Sequence, residues 1–237
     1  MNNNDFLKIL EKSYQVYLNT SPRSNKKLVV LHGEIAKDLQ NRLGKDYEVK
    51  SLGIGKGKEA KISGRYLEKN VDISIFKDKE ALGGIAVKYI MSNYSQNTNN
   101  YFENMLGETA NLRASDKAYF QIIILPQHLP YFKKDGTISR IEVIKDKKLD
   151  KYLKLSEDDI NEYLHTPTKT LLCLINTPKT ELTKIKNKED YKNYILSLKK
   201  KNFTFAEADY NFKNSIIFND YDTFLNKVIN YIKFIEK

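Results

Sequence analysis

Two charged residues stand where charge is costly. Asp72 lies in NVDISIF (residues 70–76) and Lys88 in GGIAVKYI (83–90), both rich in β-branched and apolar residues that alternate like strands. Period-two alternation puts Asp72 and Ser74 on one face and Val71, Ile73 and Ile75 on the other. In the second run Ala86 and Lys88 share a face, opposite Ile85, Val87 and Tyr89. A charge on a core strand is unfavourable unless it is paired or employed. An acid and a lysine on neighbouring strands can neutralise each other as a structural ion pair. They can also surround a metal ion and a phosphate. Glu34 is a third candidate. It opens the helical pattern GEIAKDLQNRL, where an acid also favours a helix start for its own sake.

The elements that must position these residues are readable from periodicity. Phe6, Leu7, Leu10, Tyr14, Tyr17 and Leu18 recur at helical spacing over residues 5–18. LVVLH at 28–32 is either a strand or the lead-in to the next helix. Ile35, Ala36, Leu39 and Leu43 then continue at helical period, with Gly44 as a stop. YEVKSL (47–52) alternates as a strand, and GIGKGKEAKISGR (53–65) is a flexible, basic turn region. KDKEALGG (77–84) is a polar connection, IAVKYI (85–90) a strand, SNYSQNTNN (92–100) a polar loop and YFENMLGETANLRA (101–114) helical or mixed. YFQIIIL (119–125) is a strong strand stopped by Pro126 and Pro130, and LLCLIN (171–176) is another. DYKNYILSLKKK (190–201) and DYDTFLNKVINYIKFIEK (220–237) are amphipathic helices, the second capped by Asp220 or Asp222. The expected fold is α/β, a central mixed β-sheet flanked by helices with a C-terminal α+β extension. Residues 1–125 are expected to form the core, and 126–237 an extension continuous with it.

The order of a helix with Glu34, a strand with Asp72 and a strand with Lys88 resembles the PD-(D/E)xK nuclease superfamily, and within it the type II restriction endonucleases. The block from Gly64 to Arg113 carries the resemblance, which covers about the first half of the chain. It implies a restriction-endonuclease-like core, a Mg2+ cofactor, double-stranded DNA as substrate, a homodimer on a palindromic site and a cognate DNA methyltransferase as genetic partner. In that pattern Asp72 is the central metal ligand and Lys88 holds the water and the scissile phosphate. The position two before the lysine, which the pattern fills with an acid, is Ala86. The second carboxylate must then come from Glu34, or from Glu103 or Glu108 beyond the lysine. Ala86 also keeps open a DNA-binding module without catalysis; a repair or junction-resolving nuclease of the same fold is the other alternative.

DNA contacts are expected from Lys56, Lys58, Lys61 and Arg65 in the basic turn, since phosphate contacts need positive charge and reach. Asn93, Gln96 and Asn97, near Ser92, have amides suited to reading adenine edges. GIGKGK lacks the G-x-x-x-x-G-K-[ST] spacing of a phosphate loop. His32, His128 and His165 are scattered without HxxxH spacing, which argues against histidine metal ligands.

Composition agrees with these expectations. A net charge of +10 suits a polyanionic partner, nucleic acid or an anionic membrane surface, although an AT-rich coding bias raises Lys, Asn, Ile and Tyr together. The single cysteine, Cys173, sits in an apolar run and is expected to be a buried free thiol in a reducing compartment. No basic-plus-apolar leader opens the sequence and no apolar run reaches the ~20 residues of a membrane span, so a cytoplasmic protein is expected.

Overall fold

The computed structural model describes residues 1–20, 24–178, 185–198, 202–207 and 210–236. Helices α1 (Asn3–Asn19) and α2 (Lys26–Leu43) lead into β1 (Tyr47–Ser51), β2 (Ala60–Ser63), β3 (Glu68–Val71), β4 (Ile73–Lys77) and β5 (Glu80–Tyr89). Then follow α3 (Tyr94–Arg113), β6 (Ala118–Pro126), β7 (His128–Phe132), β8 (Ile138–Val143), α4 (Asp150–Glu157) and β9 (Lys169–Asn176). The chain continues with α5 (Lys188–Ser197), β10 (Thr204–Phe205), β11 (Ile216–Phe218) and α6 (Tyr221–Ile235).

The fold is α/β with a mixed seven-stranded sheet flanked by helices, in the order β1-β4-β5-β6-β9-β10, with β11 also on β9. β1, β4 and β5 are antiparallel neighbours. β5, β6 and β9 run parallel, and α3 makes the crossover from β5 to β6. All nine residues of β6, AYFQIIILP, are buried, because helices cover both faces. One face packs Phe6, Leu10, Ile35, Leu39, Phe224 and Val228 of α1, α2 and α6 on Ile73, Ile85, Phe120 and Ile122. On the other, Tyr94 and Met105 of α3 and Tyr152 of α4 lie on Ile90, Ile123 and Leu172. Cys173 is fully buried in the first of these layers. Strands β9, β10 and β11, from the C-terminal half, extend the same sheet.

Several local expectations are corrected. NVDISIF is not one strand. Asp72 is a bend between β3 and β4: Val71 pairs with Ala60 of β2, whereas Ile73 pairs with Ser51 and Ile85 in the main sheet. Val71 and Ile73 therefore enter different hydrophobic clusters instead of sharing a face. LVVLH belongs to α2, so Glu34 lies mid-helix. SNYSQNTNN is mostly the first turns of α3, and KDKEALGG contributes residues 80–84 to β5. GIGKGKEAKISGR contains β2, paired with β3 in a hairpin. The helical reading of residues 190–201 runs past α5, and its residues 199–201 lie outside the described residues.

The turn after β1 sets α2 against the hairpin. Gly53 has φ +81, and a Cβ on it would overlap the Val29 carbonyl oxygen of α2. A Cβ on Gly33 would lie 3.1 Å from the Gly53 Cα. Gly53→Ala is expected to cost about 2–4 kcal/mol in urea unfolding, from left-handed strain plus a backbone clash. Gly107→Ala, on an open helical surface with nothing within 4 Å, is expected to stabilise by about 0.5–1 kcal/mol.

Candidate metal centre

Asp72 is held from two sides. Its Oδ2 accepts the Val87 N–H at 2.7 Å, and its carbonyl oxygen accepts the Ser51 hydroxyl at 2.6 Å. The side chain thus replaces a rung of the β4–β5 ladder just before β4 begins, and it leaves Oδ1 for other partners. Nδ1 of His32 stands 4.0 Å from Oδ1. Glu59, on the residue before β2, completes a group: one ligand atom from each of His32, Glu59 and Asp72 lies within 4.8 Å of the others.

The electrostatics of the group are those of a site short of positive charge. Burial holds the His32 pKa below its ordinary value, against the pull of Asp72 and with help from the Lys88 charge. His32 is therefore neutral at pH 7 and can offer a nitrogen lone pair. Burial, then the neighbouring charge of Asp72, pushes Glu59 up. Lys88 is exposed and, among the described residues, makes no hydrogen bond or ion pair. Its neighbours on the same face are Ala86, packed with Tyr119, and Ile90, packed with Ile123, so it emerges on the α3 side of the sheet. The donor set fits a divalent cation. Ligands on an ion about 2.1 Å away stand about 3.0–4.2 Å apart in pairs, and the His32–Asp72 separation of 4.0 Å falls within that range.

The other expected carboxylates lie elsewhere. Glu34 pairs with Lys37 at 2.7 Å on the surface of α2. Glu103 is exposed on α3 and acts electrostatically on Lys151. Glu108 binds Lys69 at 2.6 Å and accepts the Tyr119 hydroxyl at 3.3 Å. The buried Tyr119 also feels the charge of Asp72, so Glu108 stands behind the site, one tyrosine away. None of the three belongs to the metal group.

Of the expected DNA contacts, Lys56 and Lys58 are exposed in the turn that leads to Glu59. Lys61 pairs with Glu68 at 3.2 Å, and Arg65 is exposed at the hairpin tip. Asn93 is already engaged as a structural tie. Its amide donates to the Phe132 carbonyl at 2.8 Å and accepts the Phe132 N–H at 3.0 Å. Gln96 is exposed and Asn97 half-buried on α3. Asn111 of α3 clasps the β2–β3 tip: its Oδ1 accepts the Tyr66 N–H at 2.9 Å, its amide donates to the Leu67 carbonyl at 2.9 Å, and its carbonyl oxygen accepts the Arg65 N–H at 2.8 Å. A pocket of 380 Å³ between α3 and α4, on the Lys88 side of the sheet, is lined by Lys147, Lys148, Lys151 and Lys154.

The sequence reading missed His32 and Glu59. Extending the α2 period back from Ile35, Ala36 and Leu39 by three, four and seven residues lands on position 32, so a polar residue on the buried stripe was the available signal. Glu59 is the lone acid in a basic segment, a weaker signal.

The chain matches no protein-family model, and no curated protein or solved structure matches it. No helix among the described residues is long and apolar enough to cross a membrane.

Because Oδ2 of Asp72 caps the Val87 N–H, the two usual substitutions should separate. Asp72→Asn keeps an acceptor and is expected to stay within about 1 kcal/mol of the parent protein, whereas Asp72→Ala orphans a buried donor and costs about 1–3 kcal/mol. Paired urea titrations of the two variants measure the difference.

Proposed function

We propose that this chain is a divalent-metal-dependent endonuclease of double-stranded DNA, of the PD-(D/E)xK type, and within it a site-specific type II restriction enzyme. The observation that carries this reading is the approach of His32, Glu59 and Asp72 to one point, with Lys88, unpaired among the described residues, close enough to act on His32. Two carboxylates and an imidazole would hold the ion. A bound dication supplies Lewis acidity to a phosphoryl oxygen and lowers the pKa of a water.

The remaining work belongs to the chain. Asp72, fixed by Val87 and Ser51, gives the group a rigid centre. The Lys88 ammonium has free donors to hold an attacking water and a non-bridging phosphate oxygen, and its charge offsets the charge that builds there. Lys56 and Lys58, and the lysine-lined pocket beside α3, supply positive charge for the phosphate backbone on either side. Glu59 beside Asp72 stands in for the acid absent at Ala86, which favours an active nuclease over a DNA-binding module. The C-terminal strands, integral to the sheet, favour a restriction enzyme over a minimal repair or junction-resolving nuclease. A homodimer on a palindrome follows from matching two-fold symmetries. Such an enzyme works in the cytoplasm beside a methyltransferase that protects the host sites.

The test is cleavage. Purified protein with Mg2+ or Mn2+ is expected to cut plasmid DNA into discrete bands. Asp72→Asn and Lys88→Ala should each lower the cutting rate by at least about 100-fold while the variants still shift a duplex oligonucleotide. A smear would sink site specificity, and intact plasmid under every divalent ion would sink the nuclease. In a separate measurement, Lys56→Ala/Lys58→Ala is expected to reduce the slope of log affinity against log salt by about 2; an unchanged slope removes those lysines from the interface.

A further inference from the structure

We propose that the group formed by His32, Glu59 and Asp72 selects a first-row transition dication, of the Mn2+, Co2+ or Zn2+ kind, over Mg2+. The inference deepens the metal-dependent reading above, yet its test needs no DNA.

The first observation is an orphaned imidazole. His32 is 1% exposed, and neither ring nitrogen has a hydrogen-bond partner among the described residues. A histidine buried only for packing ordinarily donates from one nitrogen and accepts at the other. Leaving both unmet in the interior is unfavourable. The second is the gap in front of it. Nδ1 faces Asp72 Oδ1 at 4.0 Å, too long for a hydrogen bond but within the spacing of two ligands on one ion. The third is unbalanced charge. Glu59 and Asp72 confront each other in this group, and neither has an ion-pair partner other than the His32 contact among the described residues.

The donor types decide the class of ion. Mg2+ takes oxygen ligands in a strict octahedron and sheds water reluctantly, so a fixed imidazole is a poor exchange for a water. Transition dications accept nitrogen readily and gain from it. Asp72 adds to this bias. Its Oδ2 already accepts the Val87 N–H, so Oδ1 is its open oxygen and bidentate chelation is disfavoured. The group therefore presents one nitrogen and two carboxylates. Removing the imidazole should return it to an oxygen-only site with ordinary Mg2+ preference.

The test is direct binding of MnCl2 and MgCl2 to the whole, chelator-stripped protein by calorimetry, with the Mn2+ signal followed by electron paramagnetic resonance. Mn2+ is expected to bind at one ion per chain, at least about 100-fold more tightly than Mg2+. His32→Gln should weaken Mn2+ by at least about 10-fold and change Mg2+ by less than about 3-fold, so the preference collapses. Glu34→Gln, outside the group, should leave both affinities unchanged. Should His32→Gln fail to fold, pulsed resonance on the wild-type protein is decisive, because a ligated imidazole imprints nitrogen hyperfine coupling on bound Mn2+. Equal affinities for the two ions, no binding of either, or bound Mn2+ without nitrogen coupling would overturn the proposal. A chain that binds Mn2+ through nitrogen but cuts no DNA overturns the nuclease reading alone.

Discussion

The hydrogen bond from the Val87 N–H to Asp72 Oδ2 is the constraint on which the rest of the site depends. Two strands meet at Asp72 and diverge, β3 into the hairpin with β2 and β4 into the main sheet. A bend inside a sheet leaves ladder donors unpaired, and an unpaired buried donor is expensive. The carboxylate supplies the missing acceptor, and Ser51 secures the carbonyl on the other side. Because the bend holds, the hairpin leaves the sheet at an angle that returns Glu59 to Asp72. An unbent NVDISIF would have carried β3 on along the line of β4.

The site lies between two hydrophobic layers without belonging to either. Ile73 and Ile85 face α1, α2 and α6, while Val71 and Ala86 join the small cluster with Leu112 and Tyr119 under α3. His32 comes from the first layer, Lys88 emerges towards the second, and Asp72 lies at the crossing. Ala86 is explained by this arrangement. A longer acid at position 86 would have to enter the apolar cluster of Ile62, Val71, Leu112 and Tyr119. Glu59 reaches the same neighbourhood from the hairpin without burying a charge among those side chains.

Legibility in the sequence followed the strength of local pattern. β6, β9, α6 and the second half of α2 were readable because unbroken apolar runs or a clear helical period left one interpretation. The mixed α/β sheet followed from their order. SNYSQNTNN misled because Ser, Asn and Gln favour turns and caps locally, yet α3 is held there by Tyr94, which is fully buried, and by Asn93 at its start. Asp72 and Lys88 stood out as charges in apolar strands. His32 is hidden because residues 28–32 read equally well as a strand, which puts the helix start at Gly33, sets Glu34 in its first turn and cuts off the buried stripe. Glu59 could not be found by spacing. Its place depends on the fold of the hairpin, a contact between segments that no local period records.

The clasp of Asn111 on the β2–β3 tip has a mechanical consequence. The polypeptide from Glu59 through the hairpin, across Asp72 and β5 past Lys88, and along α3 to Asn111 returns to the hairpin where it began. It is a closed linkage, fastened at the Val87 rung and at the Asn111 clasp. In a closed linkage no member turns alone. A displacement of α3 is carried to the tip and from there to Glu59, while the same helix, rooted five residues past Tyr89, also pulls on the strand of Lys88. The two sides of the site are joints of one frame, and their separation is set by its stiffness.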